Sequence, residues 1–357
     1  MGLASGISRR HRRAAVTALG AALALLGGAR ADTPDRLRGI VVPVTAKKTL
    51  RIGVTIVHLN DDFWKGIAYG IADEAKRSGV TVEQIDVAGG YGNVTQQFSQ
   101  IQTMKTLGID VAVVGPAAYD GYNAVLGSLK QSGIMVIAAG IPVNSRNVDF
   151  GITQDDKAIG ASLADAICRD KGDKPATVLA LPGPAGAEWA HLRYVGFTEA
   201  AGRCAGMRVT SGPVGGATDI GYGLSQASDM LLKTPDAAYI YTPETALGMG
   251  AVQAARRQNR TVKVVTSTVV AEAIPMVKNG RILAMESEPG ILIGRLIVQY
   301  AIRKADGVLM PNMTTSSGSP YPVLDVPNIL ITQQNVAGYP YALYDVPPED
   351  WSIKALQ

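Results

Sequence analysis

The sequence predicts an α/β protein built of two Rossmann-like lobes that face each other across a cleft. Three observations support this prediction. From residue 49 onward, short β-branched apolar runs alternate with segments of helical periodicity, which is typical of parallel βαβ units. The strand–loop–helix unit at residues 50–79 is echoed at residues 177–206, with Trp64 and Trp189 at equivalent positions. A length of 357 residues also favours two domains over one.

The first of these units organises the rest of the chain. Its apolar run at residues 52–57 predicts a buried strand, and the polar cluster at residues 60–62 predicts a turn and a helix cap. Phe63 and Trp64 follow directly, so their rings lie at the carboxyl end of a strand. Open α/β sheets bind ligands at that edge. The simpler alternative is that these rings only pack in the core.

Strands and helices continue to alternate along the chain. Further strands are expected at residues 80–87, 111–114, 135–139, 208–214, 238–241, 262–266 and 282–285. Further helices are expected at residues 93–107, 155–169, 221–232, 245–258, 271–279 and 291–304. Another helix is expected after residue 120, ending at residue 132. Elements alternating at this interval indicate parallel sheets covered by helices.

The chain is expected to cross three times between the lobes. The first two crossings are predicted at residues 140–150 and 286–290, and the third in the tail, which has short strands around Val323 and Ile329. The predicted boundaries are a lead-in at 32–48, lobe I at 49–142 and 289–316, and lobe II at 143–288 and 317–357.

Composition and charge describe a globular chain. Apolar residues make up 47% of the sequence and charged residues 18%, as in proteins that bury a sizeable core. The formal charge of +4 is misleading, because residues 1–31 hold five arginines and no acid. The remainder carries 29 basic against 30 acidic side chains. The basic pI therefore does not indicate a nucleic-acid partner.

Residues 1–31 have the layout of an export signal. A positive segment at residues 9–13 precedes an apolar segment at residues 14–28 and a small-x-small cleavage site at residues 29–31. We therefore expect a cleaved signal peptide and a periplasmic mature protein. The alternative is an uncleaved anchor, and the arginine pair leaves open whether export is by the Sec or the Tat route.

The chain offers little chemistry for catalysis. Beyond the signal it contains two His and two Cys, and neither an HExxH nor a GxSxG motif occurs. The acidic pair Glu286 and Glu288 falls at an expected crossing. We predict a protein that is not an enzyme and has no metal or cofactor. Cys168 and Cys204 can form a disulfide in an oxidising compartment, but the sequence leaves their bonding open.

Several motifs resemble those of type I periplasmic binding proteins. They lie at residues 60–64, 181–184, 196–197, 246–248 and 279–282. The resemblance extends from about residue 49 to residue 307. It implies two Rossmann-like lobes joined by three hinge strands, which close on a small ligand.

One branch of that family is especially similar. The segments at residues 88–91, 96–101 and 329–332, with the element at 181–184, resemble the TorT family. Its members are periplasmic partners of a membrane sensor histidine kinase that responds to trimethylamine N-oxide. This resemblance implies a similar ligand and partner here.

Departures from the sugar-binding pattern agree with that branch. Sugar binders of this fold tend to have Arg, Asn, Asp and Gln at four cleft positions, where this chain aligns His191, Thr242, Thr268 and Ser287. A sugar needs several polar partners, since each unpaired buried polar group costs about 1–3 kcal/mol. Small hydroxyl side chains therefore favour a smaller, less polar ligand.

An aromatic enclosure suits a trimethylated nitrogen through cation–π and dispersion contacts. Asp62 is a candidate for balancing its partial positive charge, although Asp61 or Asp62 is more simply a helix cap. Tyr241 is a weaker aromatic candidate. The predicted ligand residues are Phe63, Trp64, Tyr119, Trp189, His191, Thr242, Thr268 and Asp62.

Two functional hypotheses follow. The first is a periplasmic sensor that binds trimethylamine N-oxide, or a related small ligand, and signals to the periplasmic domain of a membrane histidine kinase. The second is the substrate-binding subunit of an ABC importer for a sugar or other small solute, with a permease as its partner. A repressor of the same fold is disfavoured, because residues 1–48 contain no helix-turn-helix pattern.

Overall fold

A computed structural model describes residues 36–315 and 319–353. The predicted export signal lies outside these residues. The strands are β1 (Arg51–Ile56), β2 (Thr81–Val87), β3 (Val111–Val114), β4 (Met135–Ala139), β5 (Phe150–Thr153), β6 (Ala176–Ala180), β7 (Met207–Ser211), β8 (Ala237–Tyr241), β9 (Lys263–Ser267), β10 (Ile282–Glu286), β11 (Val323–Asp325) and β12 (Leu330–Ile331). The α-helices are α1 (Asp62–Ser78), α2 (Val94–Thr106), α3 (Asn123–Gln131), α4 (Asp156–Lys171), α5 (Glu188–Arg203), α6 (Ile220–Lys233), α7 (Thr245–Arg257), α8 (Ile274–Lys278), α9 (Gly290–Ala305) and α10 (Tyr341–Tyr344).

The strands form two six-stranded sheets, one in each lobe. The first sheet is parallel throughout, with the order β11–β5–β4–β3–β1–β2. The second has the order β12–β10–β9–β8–β6–β7 and is parallel except for β12. Helices cover both sheets, so central strands such as β3 are buried along their whole length. The predicted α/β class with two Rossmann-like lobes is confirmed. Within the described ranges, no helix is long and apolar enough to cross a membrane.

The chain passes between the two sheets three times and, after β12, returns to lobe I; the course of the chain differs from two predicted boundaries. Residues 150–153 form β5 and pair with β4 in the first sheet, so the first crossing comes at residues 154–155 rather than before 150. Residues 323–325 form β11, which also joins the first sheet through β5. Backbone pairing at the sheet edge, which local sequence does not reveal, places both segments in lobe I.

The three crossings, at residues 154–155, 287–289 and 326–329, together form the hinge. Side-chain amides join them directly. Gln154 Nε2 donates to Glu288 Oε2 at 2.8 Å, and Asn328 Nδ2 donates to the carbonyl oxygen of Ser287 at 2.6 Å. The end of the chain then returns to lobe I, where Arg295 of α9 donates to the carbonyl oxygen of Leu343. The tail beyond β12 therefore does not belong wholly to lobe II as predicted.

A disulfide joins Cys168 of α4 to Cys204, which caps the C-terminus of α5. The Cα atoms are 6.0 Å apart, within the usual range for a disulfide. The pairing that the sequence left open is therefore present in the structure. It ties together two helices that also pack closely through glycines.

The packing of α4 against α5 depends on Gly160 and Gly196. A Cβ atom at Gly196 would overlap the carbonyl oxygen of Lys157, and one at Gly160 would overlap that of Arg193. The absence of both side chains lets the two backbones approach closely. This approach fixes the position of α5, which bears three of the site residues described below.

We expect Gly196→Ala to lower the free energy of unfolding by about 1–3 kcal/mol, because the added methyl group forces α4 and α5 apart. The matched control is Gly202→Ala on the same helix, where an added Cβ meets no atom within 4 Å. That change should be neutral or stabilising by up to about 1 kcal/mol. Urea denaturation of both variants measures the difference, and equal stabilities would contradict the close-packing argument.

Candidate functional site

A cavity of about 750 Å³ lies between the two lobes. Its walls are the loops that follow the carboxyl ends of the strands in both sheets, together with one residue of the hinge. This is the edge at which α/β sheets bind ligands. The polar and aromatic lining residues include His58, Asn60, Asp61, Phe63, Tyr91, Tyr119, Glu188, Trp189, Arg193, Thr218, Glu244, Thr268 and Glu288.

Four of the predicted ligand residues line this cavity. Phe63 and Tyr119 come from lobe I, and Trp189 and Thr268 from lobe II. The ring of Trp189 lies 6.1 Å from that of Tyr91, centroid to centroid, so aromatic side chains of the two lobes meet across the cleft. The structure thus brings together half of the predicted set, from four segments distributed between residues 63 and 268.

Trp64 does not line the cavity, contrary to the prediction. Its side chain is fully buried beneath Gly115, where an added Cβ would overlap the six-membered ring. The space that this glycine leaves explains why the ring turns into the core. Trp64 still supports the site indirectly, because its Nε1 donates to the hydroxyl of Tyr91 at 3.3 Å.

Three other predicted residues also lie away from the cavity. Thr242 is buried and donates to Thr266 Oγ1 at 2.8 Å, so its hydroxyl is used within the core of lobe II. His191 is exposed on α5 and lines a smaller pocket beside the cavity, together with Tyr119 and Glu188. Asp62 Oδ2 accepts a hydrogen bond from the amide of Ala271 at 3.4 Å. That bond links lobe I to lobe II outside the cavity.

Two further residues weighed from the sequence are structural. Tyr241 stacks on Phe197 with ring centroids 4.0 Å apart, inside the core of lobe II. Ser287 lies in the hinge, where its hydroxyl is 2.7 Å from that of Tyr339 and donates to Asp345 Oδ1 at 2.8 Å. Neither side chain lines the cavity.

Arg193 and Glu288 form the centre of the polar wall. Arg193 Nη1 and Nη2 donate to the two carboxylate oxygens of Glu288 at 2.6 and 2.7 Å. Arg193 Nε also donates to Asp156 Oδ1 at 2.9 Å. Each carboxylate oxygen of Glu288 also accepts a second hydrogen bond, Oε1 from Thr268 Oγ1 at 2.6 Å and Oε2 from Gln154 Nε2 at 2.8 Å. A lobe II helix is thereby bonded to the hinge through a fully satisfied buried network.

Charge balance in this network differs between its two carboxylates. Burial opposes ionisation of Glu288, but the charge and hydrogen bonds of Arg193 outweigh it and hold the pKa of Glu288 below its ordinary value. Burial raises the pKa of Asp156 to about 7, although Arg193 acts against this rise. The guanidinium of Arg193 therefore outweighs the effect of burial on the pKa of Glu288, but it does not outweigh that effect for Asp156.

Two more cavity carboxylates cap helices. Asp61 accepts from the amide of Trp64 at 2.9 Å at the start of α1, as the turn-and-cap pattern predicted. Glu244 accepts from the amides of Ala246 and Leu247, both at 2.8 Å, at the start of α7. Burial raises the pKa of Glu244 to about 7 and also raises that of Asp61. Both groups are thus partly desolvated beside the cavity.

Sequence reasoning gave no ligand role to Tyr91, Arg193, Glu244 or Glu288. Arg193 carried a signal that was available, since it lies four residues after Trp189 and therefore on the same face of α5. In the structure its guanidinium lies 4.8 Å from the centroid of the Trp189 ring. Glu288 was located at a crossing, but its partner is 95 residues away in sequence.

This arrangement can enclose a small molecule, stack on it and exchange several hydrogen bonds with it. No group of three or more His, Cys, Asp or Glu side chains within residues 36–315 and 319–353 is placed to hold a metal ion.

Sequence comparison agrees with this architecture. The profile of the periplasmic binding protein domain matches residues 52–308. The chain belongs to the periplasmic binding protein family. The predicted type I fold is confirmed, and the protein is a solute-binding protein of this family.

Relatives of this periplasmic binding protein include proteins named for sugar transport and the periplasmic protein TorT. The crystal structure of a "sugar ABC transport system, substrate-binding protein" from Bordetella parapertussis 12822 is 52% identical, with a TM-score of 0.86, and the match covers 89% of this chain and 100% of that one. The ribose import binding protein of Bacillus subtilis (strain 168) is 24% identical, over 71% of this chain and 81% of its own length. The periplasmic protein TorT of Escherichia coli (strain K12) is 25% identical, over 74% of this chain and 75% of its own length. The likeness to TorT is thus no stronger than the likeness to a ribose binder.

Proposed function

We propose that this protein is the periplasmic substrate-binding subunit of an ABC importer for a small polyhydroxylated solute of the sugar class. The cleft cavity of about 750 Å³ is the observation that carries the proposal. The 52% identical relative, whose title names a sugar ABC transport system, supports it. An export signal at residues 1–31, as the sequence predicts, would deliver the chain to the periplasm.

The size of the cavity favours a sugar over trimethylamine N-oxide. A volume of about 750 Å³ lies within the range of about 300–1,000 Å³ that is usual for small-molecule sites. Trimethylamine N-oxide has five heavy atoms and would leave most of that space to solvent, whereas a hexose has twelve. Ligand sites of binding proteins bury most of the ligand surface, which requires a closer match of volumes.

The chemistry of the lining also suits hydroxyl groups. Each oxygen of a carboxylate has two lone pairs, so Asp61 and Glu244 can accept from ligand hydroxyls while they cap their helices. Phe63 and Trp189 offer apolar faces to the C–H groups of a sugar ring. Such a ligand would bind both lobes at once and stabilise their closed arrangement over the open one.

A second candidate function is the sensing of trimethylamine N-oxide. The aromatic rings of Phe63, Tyr119 and Trp189 in the cavity favour it, since a trimethylated nitrogen is attracted to such rings. In this case the closed form would be recognised by the periplasmic domain of a membrane histidine kinase rather than by an ABC permease.

Calorimetric titration of the mature protein, residues 32–357, distinguishes the two candidates. The ligands are ribose, glucose, galactose, allose, trimethylamine N-oxide and trimethylamine, each with and without the partner kinase domain. We expect a sugar to bind without the kinase domain. We also expect Trp189→Ala to weaken that binding about 10- to 100-fold, as for the loss of a central aromatic contact.

The matched control is Trp351→Ala. Trp351 packs edge-to-face on Tyr69, with ring centroids 5.7 Å apart, outside the cavity. Its replacement should leave the affinity unchanged within about twofold. Binding of the N-oxide alone would support the sensor and overturn the importer proposal.

A further inference from the structure

We propose that the ligand of this cleft carries a cationic amine in addition to hydroxyl groups, which makes it an amino sugar or a similar amino polyol. The inference deepens the proposed function and rests on it. It starts from the charges around the cavity. Among residues 36–315 and 319–353, the cavity lining holds four carboxylates, a single guanidinium and no lysine. The lining acids are Asp61, Glu188, Glu244 and Glu288.

The guanidinium of Arg193 has no donor to spare for the ligand. Its Nη2 group is bonded to Glu288 and lies 2.8 Å from Asp156, and its Nε donates to Asp156. Its Nη1 group contacts Glu288, the carbonyl oxygen of Pro243 and Ser267 Oγ, all within 2.9 Å. All five N–H groups of a guanidinium are accounted for in this way. An anionic ligand would therefore face the carboxylates without a free counter-charge.

The acids come from separate parts of the fold. Asp61 lies in lobe I, Glu244 in lobe II and Glu288 in the hinge, so closing the cleft brings like charges together. Repulsion from Glu288 contributes to the raised pKa of both Asp61 and Glu244, after the larger effect of burial. A ligand cation placed between the lobes would relieve this repulsion. It would thus favour the closed arrangement in a way that a neutral sugar does not.

Asp61 and Glu244, which both line the cavity, also retain oxygen lone pairs that can accept further hydrogen bonds. Asp61 Oδ1 is used by the amide of Trp64, whereas Oδ2 lies 3.8 Å from His58 Nδ1, beyond hydrogen-bond distance. Each oxygen of Glu244 accepts one amide and keeps a second lone pair. An ammonium group has three donors and matches this supply.

A second observation, independent of the acids, points to a ligand with oxygen acceptors. Trp189 lines the cavity and is only 6% exposed, yet its Nε1 has no hydrogen-bond partner among the described residues. A buried N–H donor is costly to leave unpaired, and a hydroxyl oxygen of the ligand would satisfy it. The aromatic rings beside it also attract a cation. Together these features select hydroxyl groups and an amine in one molecule.

The experiment compares amines with their neutral counterparts by calorimetry in an amine-free buffer at pH 7.5, where Glu244, whose pKa burial raises to about 7, is mostly ionised. The pairs are glucosamine with glucose, galactosamine with galactose, mannosamine with mannose, and N-methylglucamine with sorbitol. N-acetylglucosamine serves as an uncharged derivative of an amine. We expect at least one amine to bind about 10- to 100-fold more tightly than its neutral partner, the range of a charge-assisted hydrogen bond.

Two variants locate the charge effect. Asp61→Asn retains an N-cap acceptor and Glu244→Gln retains one capping oxygen, so both are expected to fold. Each should weaken binding of the amine at least tenfold more than it weakens binding of the neutral partner, which also loses a hydroxyl acceptor. The matched control is Asp219→Asn, which alters an exposed N-cap aspartate that accepts from Tyr222 and does not line the cavity. This change should leave both affinities as they are.

The outcomes separate the two proposals. Neutral sugars binding as tightly as their amines, or an equal loss for both in Asp61→Asn and Glu244→Gln, would overturn the inference and leave the sugar importer standing. If neither the amines nor the neutral sugars bind, the proposed function fails together with the inference.

Discussion

Replacing Arg193 by Leu is expected to lower the free energy of unfolding by about 3–5 kcal/mol and to abolish ligand binding. The side chains of Arg193 and Glu288 are only 2% and 3% exposed. Removing the guanidinium leaves Glu288 and Asp156 buried without their cation, which is the costly way to break a buried ion pair. The hinge would also lose its bond to α5. Urea denaturation measures the first effect and calorimetry the second.

An exposed ion pair of the same length provides the control. Arg208 Nη2 and Asp236 Oδ2 are 2.7 Å apart, but their side chains are 68% and 59% exposed. Arg208→Leu should therefore cost no more than about 1 kcal/mol. Arg193→Lys, which keeps the charge without the bidentate geometry, should fall between the two. If Arg193→Leu were no more destabilising than Arg208→Leu, the proposed role of the buried network would be refuted.

The double replacement Cys168→Ala and Cys204→Ala is expected to destabilise the protein by about 4 kcal/mol. This value follows from the chain entropy that a cross-link with a sequence separation of 36 removes from the unfolded state. The bond joins the ends of α4 and α5, so its loss also permits those helices to separate. Urea denaturation under oxidising conditions measures the change.

Reduction of the wild-type protein tests the same effect without mutation. A reductant should lower wild-type stability to the level of the double variant and should leave the variant itself unchanged. A wild-type protein whose stability does not respond to complete reduction would contradict the prediction.

Local sequence patterns predicted most of the fold. The strands at Val111–Val114 and Met135–Ala139 have the bounds that the apolar runs suggested, and Asp61 caps α1 as the polar cluster indicated. Such features depend on neighbours along the chain. By contrast, β11 joins β5 although about 170 residues separate them, as Thr153 and Asp325 show. No local pattern encodes that pairing.

The site was predictable only in part, for a related reason. A Trp at a strand end can face either a cleft or a core, and a gap above Gly115 draws Trp64 into the core. Trp189 meets no such gap and lines the cavity. The pairing of Arg193 with Glu288 needs the whole fold, because a helix of lobe II meets the hinge only after both lobes are built.

The three crossings of the hinge also determine when each lobe can fold. Lobe II is nearly one continuous stretch, from Asp156 to Glu286, so all of its parallel strands are available once that stretch has emerged. Lobe I begins earlier in the sequence but also needs residues that follow lobe II. The backbone of Ile291 in α9 packs directly on Gly70 of α1, so this helix pair can form only after α9 has been made. The edge strand of lobe I arrives later still, at Val323. The lobe whose strands begin first therefore cannot complete its sheet and helix layer until most of the other lobe has been made.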